Sequence, residues 1–105
     1  REGVEKDEKK RVYHLEVAAI GGHPTARYYL GCVEKENGRM DRSVKHWIIA
    51  AKLGEDDSLE NVKMAYRGGL VSKEDFASAL RAHRAAIDDT KSPNRDEAKA
   101  AQWYG

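Results

Sequence analysis

Cysteine is all but missing from this chain: Cys32 stands alone among 105 residues. A single thiol excludes an intrachain disulfide and leaves no second cysteine for a zinc or redox motif. An excess of one charge is missing too, because 19 Lys and Arg offset 18 Asp and Glu to a formal +1. With no long block of one sign, the chain lacks the electrostatic footprint of a nucleic-acid or anionic-membrane binder, and neither partner is expected. No apolar run approaches the about 18 residues of a membrane span, and the first residues lack the apolar core of a signal peptide. The compartment is left open, with a lean towards the cell interior. The chain also opens at Arg1 without a methionine and reads as an excised piece. What is present, 40% hydrophobic and 35% charged residues, describes one small, charge-coated globular domain. A chain of this size buries only about 60% of its unfolded surface, so its stability is expected to be modest.

The sequence resembles itself. Val12-Tyr13-His14-Leu15-Glu16-Val17-Ala18-Ala19 recurs 32 residues later as Val44-Lys45-His46-Trp47-Ile48-Ile49-Ala50-Ala51. The same offset carries Gly22 onto Gly54, Ala26 onto Ser58, Leu30 onto Val62 and Val44 onto Phe76. A period in this range is the mark of stacked helical hairpins. One hairpin cannot bury its own apolar face, so its neighbours must supply the missing surface.

Apolar spacing divides the chain into six helices and no strand. Val12, Leu15, Ala18 and Ala19 stripe a first helix from about Glu8 to the stop at Gly21-Gly22. Pro24, which costs nothing in a first turn, opens a second to about Glu34, with Ala26, Leu30 and Val33 inward. The small Ala26 and Gly31 let a neighbouring backbone approach closely, and Asn37-Gly38 turns the chain. A third helix runs from about Asp41, as its cap, to Leu53, burying Val44, Trp47, Ile48 and Ala51. Asp56 or Asp57 caps a fourth over about Ser58 to Tyr66, with Leu59, Val62 and Tyr66 inward. Ser72-Lys73-Glu74-Asp75 has the form of a capping box opening a fifth to about Asp88, whose inner face carries Phe76, Leu80, His83 and Ile87. Ser92-Pro93 signals a last helix with Ala98, Ala101 and Trp103. Trp103 and Tyr104 either cover the last hairpin as a cap, the favoured expectation, or begin a next repeat.

Ala26-Arg27-Tyr28-Tyr29-Leu30-Gly31, the turn at Asn37-Gly38, and Ser43-Val44-Lys45-His46-Trp47-Ile48-Ile49-Ala50-Ala51-Lys52-Leu53-Gly54 closely resemble a Sel-one-like repeat (SLR), a subclass of the tetratricopeptide-like helical hairpins. The resemblance covers about Glu8 to Asp88. It divides the chain into the second helix of a preceding repeat (8–21), a full repeat (22–53), a degenerate repeat (54–88) in which Val62-Lys63 replaces Leu-Gly, and a C-terminal helix (92–105). It implies an all-α fold, a right-handed solenoid of antiparallel hairpins whose first helices line the concave side, and the work of an adaptor or scaffold that binds a protein or peptide. Arg27, Tyr28, Glu34, Glu60, Lys63 and Arg67 are then the candidate partner-binding residues, their mixed charge suiting a polar peptide, with aromatic and arginine anchors carrying the energy.

No enzyme signal competes with this reading. There is no nucleophile–base pair and no phosphate-cradling glycine loop, so no catalytic, cofactor or metal site is expected. His14 and His46 occupy equivalent repeat positions, about a helix-pair spacing apart, too far to share one zinc. His83 has no acid partner evident in sequence and reads as a packed histidine, and Cys32 reads as a small apolar filler. The alternative to a binding module is a structural spacer or self-associating fragment, since an open repeat end exposes apolar surface that would favour homo-oligomers.

Overall fold

The computed structural model of the chain contains five α-helices: α1 (Glu2–Ile20), α2 (Pro24–Glu36), α3 (Met40–Lys52), α4 (Asp56–Arg67) and α5 (Lys73–Tyr104). It describes the backbone of residues 2–104 and the side chains of residue 3 and residues 5–89. Among the described residues there is no strand, and no helix is long and apolar enough to cross a membrane.

Glycine sets the helix ends. In each of the first four helices, the amide just after a positive-φ glycine reaches back to the carbonyl five residues before it. His23 N–H bonds to Ala18 at 3.1 Å, Arg39 to Glu34 at 2.8 Å, Glu55 to Ala50 at 3.0 Å and Leu70 to Ala65 at 2.9 Å. This closure satisfies carbonyls that a helix end leaves free, and it needs a left-handed residue at the turn. Gly54, at φ 102°, shows why: a side chain there is strained in itself and would stand 3.3 Å from the Ala86 Cβ.

Two apolar clusters hold the helices together. The larger joins Val44, Trp47 and Ala51 of α3 to Leu59, Val62 and Ala65 of α4, with Val71 of the following loop and Ala79 of α5. Tyr66 and Phe76 stack at its edge, ring centroids 4.2 Å apart and planes within 10°. The smaller joins Ala19 of α1 to Ala26 and Leu30 of α2, flanked by Val12, Leu15 and Ala18. Gly31 is buried because the Trp47 indole lies on it, so the close neighbour at this glycine is a side chain rather than the expected backbone. The Ser43 hydroxyl, fully buried, donates to the Gly31 carbonyl at 2.6 Å and ties α3 to α2 at the same point.

Several expectations are corrected. Five helices replace six because α5 runs through Ser92-Pro93. No glycine occurs between Gly69 and Gly105 to close the helix, and proline's fixed φ is itself compatible with a helix, although an interior proline removes one hydrogen bond and crowds the carbonyl four residues back. The side chains of Ala98, Ala101, Trp103 and Tyr104, expected to form a last stripe and cap, lie outside the described residues. α1 begins well before Glu8, its polar opening being rich in good helix formers and carrying the exposed Arg11–Glu8 pair at 3.2 Å. α4 is capped by Glu55, whose carboxylate accepts from the Ser58 and Asp57 amides at 2.9 and 3.0 Å, leaving Asp56 and Asp57 in the first turn. Asp41 likewise lies in the first turn of α3 and not at its cap. Ser72 does cap α5, accepting from the Asp75 amide at 3.1 Å.

Candidate partner-binding groove

α3 packs directly against α5, but among the described residues α1 packs on α2 with no comparable contact to α3. The space left between α1 and α3, floored by α2, is an open-sided groove of about 480 Å³. Helical spacing decides which residues reach it. α1 presents Val12, Glu16 and Ile20, α2 presents Arg27, Leu30 and Glu34, and α3 presents Arg42, Lys45, His46 and Ile49. Apolar and charged side chains therefore share its walls.

Arg27 is the central group. Its Nη1 lies 3.4 Å from His46 Nδ1, its Nη2 donates to the Ala19 carbonyl at 3.5 Å, and its Nε is buried without a partner. A guanidinium only donates, so His46 Nδ1 is the acceptor and the imidazole proton sits on Nε2. Burial, and then the Arg27 charge, push His46 below its ordinary value of 6.5, so the ring is neutral. Glu34 does not answer Arg27. Its carboxylate is taken by Arg39, whose Nε and Nη2 reach it at 2.6 and 3.4 Å, and this bond holds Glu34 below the usual carboxylate range.

The neutral His46 makes stability pH-dependent. The folded chain binds fewer protons here than the unfolded one, so this contribution is fully present above pH 6.5 and is lost as pH falls through the lower folded value. Glu16, Arg27 and Glu34 are the charges that bear on the ring from the surrounding helices. His46→Gln is expected to flatten the loss of urea midpoint on acidification below 6.5. Parallel slopes for the two proteins would discard this account.

The other sequence candidates lie elsewhere. Tyr28 is half-buried against the α3–α4 core, where the neighbouring Cys32 thiol, and then burial, raise its pKa. Glu60 and Lys63 pair with each other at 3.1 Å on α4, and Arg67 is exposed in that helix's last turn. Of the six, only Arg27 and Glu34 meet in the groove. His14 lies exposed, edge-on to Tyr13 at 5.6 Å, and does not join His46. His83 has a partner after all: its Nε2 lies 2.8 Å from Asp56 Oδ1, an acid 27 residues away that only folding brings near. Among the described residues no three His, Cys, Asp or Glu side chains are placed to hold a metal ion.

No protein-family model matches this sequence, and neither the curated proteins nor the solved structures offer a match.

Proposed function

We propose that this chain is a protein- or peptide-binding module without enzymatic activity, built as a Sel-one-like α-solenoid. Support for the repeat comes from positions 32 apart in the sequence that share a burial state: Ala19 with Ala51, Ala26 with Ser58, Leu30 with Val62, and Val33 with Ala65. Support for binding comes from one observation above the others, a groove of mixed apolar and cationic lining whose central arginine has an unsatisfied, buried N–H. A group of this kind is costly to leave unpaired and is answered when a partner closes over it.

A random peptide library panned against the protein, followed by titration of recovered peptides into ¹⁵N-labelled protein, tests the reading. Saturable shifts are expected either along the groove at Lys45 and Ile49 or along α4 at Glu60, Lys63 and Arg67. Binding that is indifferent to substitution of every one of these residues would sink it.

One observation favours self-association as a second reading. Tyr13, Val17 and Ile20 recur at i, i+4 and i+7 on α1 and are 64%, 52% and 83% exposed, an apolar stripe with nothing over it. Light scattering over a concentration series separates the two, since a constant monomer mass removes self-association.

A further inference from the structure

We infer that the groove between α1 and α3 receives an acidic peptide segment, with a carboxylate held by Arg27 and its cationic neighbours and an adjacent apolar side chain resting on Val12, Ile20 and Ile49. This rests on the binding-module reading and adds the chemistry of the partner.

Charge complementarity carries the inference. The chain as a whole is nearly neutral at +1, yet Arg27, Arg42 and Lys45 converge on one groove, and among the described residues none of them forms an ion pair. Against them stands Glu16. The second acid of the groove, Glu34, is neutralised by Arg39 at 2.6 Å, outside the groove lining. The local balance is therefore positive without a long basic run in the sequence. Arg27 sharpens the point, because its two Nη contacts go to neutral acceptors and its buried Nε has none. A half-buried guanidinium without a counter-ion is an incomplete arrangement, and a carboxylate is the planar acceptor that its fork of donors fits. The apolar walls demand a second feature of the ligand. Leu30 closes the floor while Ile20 and Ile49 stand exposed on either side, so an aliphatic side chain beside the acid would cover surface that water otherwise wets.

His46 reports on occupancy. A carboxylate entering beside Arg27 offsets the charge that now opposes imidazolium formation, so binding is expected to raise the His46 titration midpoint. Glu16 on α1, Glu34 on α2, and Arg42 and Lys45 on α3 are the other charges in the groove.

The test uses the full chain and two fluorescein-labelled decapeptides, one centred on Glu-Leu-Glu and the other on Gln-Leu-Gln. The acidic peptide is expected to bind at least about tenfold more tightly, the worth of one charge-assisted hydrogen bond, with the advantage shrinking as salt rises. Arg27→Gln is expected to erase the advantage. Because Arg27 is part-buried, the exposed double substitution Arg42→Gln with Lys45→Gln is the control that leaves folding intact, and it is expected to remove much of the difference. Equal affinity of the two peptides, both seated in the groove, would overturn the acidic specificity while leaving the binding-module reading standing. Failure of both peptides to bind, with recovered library peptides perturbing α4 instead, would overturn the groove alone. Failure of the library as well would remove the parent reading. A single-stranded oligonucleotide that outcompetes the acidic peptide would reassign the cationic cluster to phosphate and overturn the inference.

Discussion

Trp47→Ala is expected to remove about 3–5 kcal/mol of folding stability, the usual loss when a buried aromatic is truncated to a methyl group. Domains of this kind hold only about 5–15 kcal/mol in total, so the variant should melt at least about 12 °C lower or fail to fold at physiological temperature. The reason lies in position. Trp47 is 4% exposed and belongs to the cluster that joins α3 to α4 and α5, while its other face lies on Gly31 and so fastens α2 as well. One side chain thus serves the contacts of three neighbouring helices with α3, and the small Gly31 beneath it has no atoms to fill the space. The indole N–H complicates the accounting, because Nε1 is buried without a hydrogen-bond partner. An unmet donor costs about 1–3 kcal/mol, so Trp47→Phe, which deletes it and keeps a large ring, should lose far less than Trp47→Ala. Urea midpoints for the three proteins decide the matter. A loss below about 1 kcal/mol for the alanine variant, outside the range for buried aromatics, would mean that the cluster is held elsewhere.

The boundaries of α2, α3 and α4 were legible in sequence because two signals coincide there: apolar residues at helical spacing, and glycine or proline at each end. Where only one signal exists the reading drifts. The polar opening of α1 has no apolar period, and Ser92-Pro93 imitates a helix start inside α5. At Glu55-Asp56-Asp57 three acids in a row can each cap α4, and the one that does so is set by where the Gly54 turn releases the chain. The groove was half legible. Arg27 and Glu34 were marked by their place on α2, but Arg42, Lys45 and Ile49 fall on what periodicity reads as the solvent side of α3. The spacing of His46 from His14 speaks against a shared metal and carries no mark of Arg27, which only folding brings beside the ring. What makes the groove is the separation of α1 from α3, whereas α3 and α5 pack together. That separation is a property of packing between helices distant in sequence and leaves no local mark in it.

Gly31→Ala sets two principles against each other, and the outcome can be assigned in advance. Helix propensity favours alanine over glycine inside a helix by about 1 kcal/mol, so on local grounds the substitution stabilises α2. Packing opposes it. The new Cβ would stand 2.5 Å from Trp47 Cδ1 and 3.0 Å from Cε2, closer than carbon atoms approach, and would come nearer still to Nε1. The indole is 4% exposed and wedged in the main cluster, so it has no free path to withdraw along. The Ser43 hydrogen bond to the Gly31 carbonyl also holds the two helices at their present distance. Overpacking of this kind costs about 1–3 kcal/mol or more, and the net effect is expected to be destabilising. The chain contains its own comparison, because the position 32 residues after Gly31 is Lys63 and the position 32 after Trp47 is Ala79. At these later positions the large side chain has gone, Ala79 is fully buried, and a lysine stands in place of the glycine. Glycine is therefore required by the tryptophan and not by the helix. It follows that the sign should reverse with background: Gly31→Ala should destabilise the native chain and stabilise Trp47→Ala, where the methyl group enters space the indole has left and the propensity gain is unopposed. A double-mutant cycle from chemical denaturation reads this directly. Additive effects, with Gly31→Ala destabilising by the same amount in both backgrounds, would show that some neighbour other than Trp47 excludes the side chain.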